Sequence, residues 1–380
     1  MSTLPSKAGG QAPSPRQPVQ DKVVVITGAS SGVGLETARQ LAGQGGEIVM
    51  IVRDQARGEH ARSRVAEAAA GEPPVLLTAD LSVQADVRRV AQQVRDRYGH
   101  ADILVNNAGA AFSRREQSAD GLELTWATNY LAAFLLTELL LPLLVAAPAG
   151  RIVNVVSEFY GRKLDLGNLQ GERKYSYFGA YRASKLGEVL FTTELARRIN
   201  GSGVTVVSVS PGPARTNFAM PSGVLGAVLG VMQHTPMFKP AGQAAGGIAW
   251  AATAPELAGN SGALYLRGKQ LSLKGAANDR SLAAGYGASA SSRPESTRPA
   301  RPSRPSRPPQ DRIPDPAATR AGAKTVSARE TRATRPKPRP ARRWRRLVRS
   351  ASFEELPMLG TDGPGRAAAP RPQSCSSSPW

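Results

Sequence analysis

Residues 23–34 run from an unbroken apolar segment, Val23-Val24-Val25-Ile26, straight into Thr27-Gly28-Ala29-Ser30-Ser31-Gly32-Val33-Gly34. A β-branched run with no polar alternation has to be covered on both faces, which a parallel sheet between two helix layers provides. After the turn, Leu35, Ala38, Leu41 and Ala42 recur at helical spacing. A strand, a glycine-rich turn and a helix start in this order predict a dinucleotide site. Gly28 permits the tight turn, Gly32 lets backbone approach a pyrophosphate, and Gly34 lets helix and strand pack closely. The phosphates would meet free N–H groups at the positive end of the helix. Thr27, Gly28, Ser30, Ser31, Gly32, Val33 and Gly34 are therefore the first candidate cofactor contacts.

Further apolar runs at Glu47-Ile48-Val49-Met50-Ile51-Val52, Asp102-Ile103-Leu104-Val105, Arg151-Ile152-Val153-Asn154-Val155-Val156 and Val204-Thr205-Val206-Val207-Ser208-Val209 alternate with helical patterns. That alternation predicts an α/β domain over residues 21–274, a single doubly wound (Rossmann) parallel sheet with helices on both faces.

Tyr181 and Lys185 stand four residues apart in Ala180-Tyr181-Arg182-Ala183-Ser184-Lys185, so on a helix they share one face. An ammonium beside a phenol favours the phenolate, drawing an ionisation that starts near ~10 towards neutrality. Tyr181 is thereby a candidate general acid/base for a hydroxyl or carbonyl substrate. Two exposed residues of an amphipathic helix are the bland alternative. Ser157 follows the run at 151–156, at the strand end where open α/β sheets take ligands. Its hydroxyl can donate to a substrate oxygen that gains negative charge, a role the neighbouring Glu158 has no hydroxyl to fill.

The order TGASSGVG, Asn106-Asn107-Ala108-Gly109, Asn129, Ser157 and Tyr181-x-x-x-Lys185 resembles the short-chain dehydrogenase/reductase family. The block GNLQGERKYSYFGAYRASKLGEVLFTTELARRI is similar to the branch holding retinol dehydrogenases and light-dependent protochlorophyllide reductases, which also carries extra residues between serine and tyrosine. The resemblance implies that Asn129 bends its helix and holds a proton-relay water; a buried asparagine with no catalytic part is the competing reading. It implies that Asn107, Ala108 and Gly109 line the adenosine side of the cofactor and that Lys185 also hydrogen-bonds the nicotinamide ribose. Pro211 and Gly212 would belong to a segment covering the nicotinamide. Asp80, with Leu81, would contact the adenine, unless Asp80 caps the helix after Ser82. No metal is implied.

Cofactor choice turns on the end of the second strand. An acidic residue there accepts the ribose hydroxyls of NAD, whereas an arginine favours the 2′-phosphate of NADP. Here Arg53 directly follows the strand, and the Arg53-Asp54 pair resembles NADP-using retinol dehydrogenases. Asp54 also suits a helix cap. The expected cofactor is NADP, with NAD as the alternative, and the expected activity is the interconversion of an alcohol and a carbonyl by hydride transfer. An apolar stretch within residues 217–239 points to a lipophilic small-molecule substrate, set against a strongly polar loop at residues 158–178.

The ends differ in kind. Residues 1–20 are rich in Pro, Gly, Gln and Ser, and residues 275–380 form an Arg/Pro-rich basic tail. Neither offers enough apolar surface to offset chain entropy, so both are expected to be disordered. The tail holds most of the excess in a chain of 49 Lys+Arg against 29 Asp+Glu, formal net charge +20. Such a tail can contact nucleic acid or anionic membrane nonspecifically. This leaves a second reading, a non-catalytic nucleotide-binding scaffold acting through its tail. Cys375 is the single cysteine, which fits a reducing cytoplasm. The apolar stretch at residues 131–147, broken by Glu138 and Pro142, reads as a core or homo-oligomer helix and not as a transmembrane segment.

Overall fold

A computed structural model describes residues 19–214, 235 and 238–284. Most of the expected disordered segments at the two ends, Cys375 and most of the stretch at 217–239 lie outside the described residues. In chain order the elements are β1 (Val23–Thr27), α1 (Gly32–Ala42), β2 (Glu47–Val52), α2 (Gln55–Ala66), β3 (Val75–Thr78), α3 (Gln84–Arg97) and β4 (Ile103–Asn106). Then come α4 (Leu124–Trp126), a π turn (Ala127–Leu131), α5 (Ala132–Ala146), β5 (Arg151–Val155), α6 (Tyr177–Arg198) and β6 (Thr205–Ser210). The last are α7 (Ala241–Thr253), β7 (Leu264–Leu266) and β8 (Lys269–Leu271).

All eight strands form one sheet in the order β3-β2-β1-β4-β5-β6-β7-β8. β1 to β7 are parallel, and every residue of β1, β4, β5 and β6 is buried, the polar Asn106, Asn154 and Ser208 included. The doubly wound parallel sheet expected from sequence is present, and a short edge strand is added to it: β8 runs antiparallel to β7. Arg267 and Gly268 join the two, both at positive φ (52° and 75°), the geometry of a two-residue hairpin. The strand order reverses between β1 and β4. The crevice above their C-terminal ends is where a doubly wound sheet takes its ligand.

Helices cover both faces. Side chains of α1, α2 and α7 close one core with Ile26, Met50 and Val207; those of α3, α5 and α6 close the other with Val25, Leu104 and Val206. The amphipathic stripe of α3, Val87, Val90, Ala91 and Val94, is buried against α5. Arg151, at the N-terminal end of β5, is buried and donates to Ala251 O (2.9 Å) and Ala254 O (3.2 Å). It thereby satisfies carbonyls that the end of α7 leaves open.

The helical run from Leu124 to Ala146 continues the apolar stretch at 131–147 towards its N-terminal side and passes through Pro142. Its 23 residues hold an 18-residue window of mean hydropathy 1.8, long and apolar enough to cross a membrane by length and composition, and 67% of that window is buried inside the protein. Trp126, Tyr130, Phe134 and Phe191 stack at centroid separations of 4.6, 6.2 and 5.2 Å between this run and α6.

Packing continues beyond the boundary expected at residue 274. Gly275–Asn278 form a short 3-10 turn, and Ala277 and Ala283 are buried against α6 and the core.

Gly187 is where α6 meets the aromatic stack: a Cβ there would lie 3.0 Å from Tyr130 Cδ2 and 3.1 Å from the Trp126 ring. Gly247, inside α7, has nothing within 4 Å of its Cβ position. Gly187→Val is therefore expected to lower the unfolding free energy by about 1–3 kcal/mol through overpacking. Gly247→Ala should raise it by about 0.5–1 kcal/mol through helix propensity. Urea titration of the two variants checks both signs; equal and opposite ordering would refute the packing argument.

Candidate active site

The turn after β1 is shaped by close approach. Gly28 has φ +68°, and a Cβ there would sit 2.9 Å from Ala108 Cα. A Cβ on Gly34 would fall 2.3 Å from Asn107 Nδ2 and 2.4 Å from Gly28 O, so only glycine fits. Thr27 joins this turn to the segment after β4. Its Oγ1 accepts from Asn107 N (3.0 Å) and Ala108 N (2.9 Å), while Asn107 Nδ2 donates to Thr27 O (2.9 Å). Thr27, Leu81 and Ala108 line one small cavity. Ser30 and Ser31 are half-buried in the turn, and Val33 is buried behind it. Ser31 occupies the N-cap of α1, yet its side chain makes no capping hydrogen bond. The first N–H groups of α1 thus have no side-chain cap, beside glycines whose missing Cβ atoms leave room. This fits a pyrophosphate.

At the end of β2, Arg53 and Asp54 divide their roles. Asp54 caps α2, its carboxylate accepting from Arg57 N (2.8 Å). Arg53 is exposed at the rim. Asp80 does not cap α3, whose N-cap is Val83. The alternative reading of Asp80 as that cap is therefore corrected. Its carboxylate instead closes a local turn onto Ser82 N (2.9 Å) and Ser82 Oγ (2.7 Å), because the helix cap falls at Val83, beyond Asp80.

The candidate catalytic residues come from three places: α6, the π turn and the segment after β5. Lys185, buried on α6, donates from Nζ to Val155 O (2.8 Å), the last residue of β5 and two before Ser157. Tyr181 stands one turn earlier on α6, half-buried, and its carbonyl accepts from Ser184 Oγ (2.8 Å). Asn129 lies in the π turn, so the bend expected of its helix is present as an i→i−5 bond, Ala132 N to Ala127 O. Its Oδ1 accepts from Ala110 N (2.7 Å), and its Nδ2 donates to Ala110 O (2.9 Å) and Ser184 Oγ (2.9 Å). Both amide hydrogens are engaged, which makes Asn129 a clasp between the segment after β4 and the neighbour of Lys185. A Cβ on Gly109 would lie 3.6 Å from both Asn129 Oδ1 and Lys185 Nζ, so the three meet at one point. Ser157 Oγ, half-buried, accepts from Phe159 N (3.1 Å). Pro211 and Gly212 follow β6 at the same edge, where Gly212 N donates to Ser210 Oγ (3.3 Å), which in turn donates to Glu158 Oε2 (3.1 Å).

Tyr177, one turn before Tyr181, is a poor substitute for it. Burial, then the neighbouring Tyr181 and Tyr175, push its phenol up to about 12. Two residues near the lysine were not singled out from sequence. Ser184 holds Asn129, and Glu188 pairs with Lys185 across 2.8 Å. The i,i+3 spacing of Lys185 and Glu188 was the available signal for the second.

The loop between Ser157 and α6 is pinned from both sides. Arg115 Nε donates to Gln170 O (2.7 Å) and Tyr175 Oη to Phe112 O (2.7 Å) on one side. On the other, Lys274 N donates to Tyr160 Oη (2.9 Å) and Ala276 N to Arg162 O (2.9 Å).

Residues 22–223 match the short chain dehydrogenase family. The chain is 41% identical to human (Homo sapiens) retinol dehydrogenase 11 over 197 residues, 51% of this chain and 62% of that protein. It therefore spans about three fifths of that relative's length. It is 35% identical to human retinol dehydrogenase 13 over 281 residues, covering 72% of this chain and 85% of that one. A crystal structure from Mycobacterium Paratuberculosis superposes with a TM-score of 0.57 at 31% identity, over 73% of this chain and 94% of the other. A short-chain dehydrogenase/reductase from Serratia marcescens superposes at 0.52 with 25% identity, over 66% and 97%. With its glycine turn, asparagine clasp and Tyr-x-x-x-Lys helix in the matched region, the chain belongs to the short-chain dehydrogenase family, in the branch of the retinol dehydrogenases.

Proposed function

We propose that the protein interconverts an alcohol and a carbonyl by hydride transfer with NADP(H), acting on a lipophilic small molecule. The observation that carries this reading is the meeting of Lys185 Nζ and Asn129 Oδ1 at Gly109, beside the turn that suits a pyrophosphate. A bound nicotinamide supplies or accepts the hydride. The chain's own residues position the substrate and move the proton. Ser157 Oγ donates to the substrate oxygen as charge develops on it. Tyr181 gives its proton to that oxygen in reduction and takes one in oxidation. Lys185, with one N–H on Val155 O, keeps another for the cofactor ribose and places its charge beneath Tyr181. Asn129 holds the helix and the segment after β4 in register for this.

Arg53, exposed at the end of β2 with Asp54 committed to its cap, supports a 2′-phosphate contact. A lipophilic substrate is favoured by the large apolar side chains that stand exposed among the described residues. Phe159, Leu166 and Phe178 all fall between Ser157 and Tyr181. The retinol dehydrogenase names of the relatives point the same way.

Tyr181→Phe should retain NADPH binding, read by cofactor fluorescence, and lose turnover of a panel of aldehydes and ketones by at least about a hundredfold. Undiminished turnover would remove Tyr181 from the mechanism. Arg53→Ala should lower kcat/KM with NADPH by about ten- to a hundredfold, the loss of one charge-assisted phosphate contact, and leave NADH little changed. If both cofactors respond alike, the 2′-phosphate is read elsewhere.

A further inference from the structure

Lys185 is not alone in its pocket. Glu188, one turn further along α6, is 1% exposed and places Oε2 2.8 Å from Lys185 Nζ. The approach is off the direction of a hydrogen bond, and neither carboxylate oxygen has a hydrogen-bond partner among the described residues. Burying a carboxylate is costly, and an ion pair in such a place offsets the cost only when its remaining lone pairs are also satisfied. Those of Glu188 are not. An amide or apolar side chain would fill the same space without that cost, so stability alone gives no reason for the charge.

We propose, resting on the hydride-transfer reading above, that Glu188 is a positioning residue that draws the Lys185 ammonium down beside Val155 and partly offsets the positive field Lys185 projects onto Tyr181. One N–H direction of Lys185 is then fixed by Val155 O, and Glu188 holds the head group by charge from 2.8 Å. Nζ also faces Gly109 and the cofactor side. Among the described residues, Lys185 is the one charged group acting on Glu188. Around it the helix–helix side presents the rings of Trp126 and Tyr130 at Gly187. The sheet side presents a neutral chain, Asn154 Nδ2 donating to Thr192 Oγ1 (2.8 Å) and Ser208 Oγ to the same oxygen (2.8 Å). Burial pushes the Glu188 carboxyl up to about 7, with Lys185 pulling the other way. Burial thus favours the neutral carboxyl and the ammonium beside it favours the charged form.

Removing the charge while keeping the shape tests this. In Glu188→Gln the ammonium is no longer offset, so the rising limb of kcat against pH for alcohol oxidation should move to lower pH by about one unit. Glu188→Asp, which restores the charge at shorter reach, should move the limb back towards the wild type. A limb that superimposes on the wild type in both variants overturns the proposal, as does one that moves to higher pH in Glu188→Gln. A second measurement needs no substrate: acylation of Lys185 by a water-soluble N-hydroxysuccinimide ester, followed by peptide mass spectrometry. Loss of its anionic partner should make Lys185 react several-fold faster, with Lys239 and Lys269 unchanged as controls. Equal rates at Lys185 overturn the pairing, and faster rates at all three lysines mark general loosening and overturn it too. Should the wild type reduce no carbonyl and oxidise no alcohol, the hydride-transfer reading fails, and the acylation rates still decide whether Glu188 holds Lys185.

Discussion

A sheet whose central strands are buried on both faces opens to solvent at the C-terminal ends of those strands, and there the loops need partners of their own. An unpaired buried amide or hydroxyl costs about 1–3 kcal/mol, so each one that finds a partner also fixes a loop. Thr27 fixes the turn after β1 to the segment after β4, and Asn129 fixes that segment to α6. Remove this joint and the glycine turn, the tyrosine and the lysine have no common frame. The chemistry depends on these neutral clasps before it depends on any charge.

The interior repeats the pattern across the sheet. Asn106 Nδ2 reaches Thr137 Oγ1 and Asn154 Oδ1, and Asn154 reaches Thr192, which also takes Ser208. Inside an otherwise apolar core such a chain contributes little net stability, but it is satisfied in only one register of β4, β5, β6 and α6. Asn106 Oδ1 is its one loose end, without a partner among the described residues. Glu188 begins one helical turn from this chain, so the pair it forms with Lys185 sits on a rigid floor.

Much of this was legible from the chain alone, for physical reasons that differ by element. Val23-Val24-Val25-Ile26 reads as a doubly covered strand because nothing in it can face water, and Gly34 reads as a contact glycine because strand, turn and helix leave it no alternative. Tyr181 and Lys185 are readable because helical spacing alone places them together. The antiparallel β8 was not readable: the hairpin at Arg267-Gly268 puts a non-glycine residue at φ 52°, against its local preference. The long helix starts at Leu124, capped by a buried glutamate, Glu123 accepting from Thr125 N and Trp126 N. Glu188 was overlooked because a glutamate three residues from a lysine ordinarily marks a solvated face, and only tertiary packing turns it inward.

The 3-10 turn after β8 gives the chain a hidden dependence between its far end and its chemistry. Lys274 and Ala276 grip Tyr160 and Arg162, Gly161 N reaches Arg182 O beside Tyr181, and Ala277 and Ala283 plug the core below. A protease or an engineer cutting after residue 274 would unseat the wall next to the tyrosine. The basic extension is thus joined to the fold through its first ten residues, 275–284.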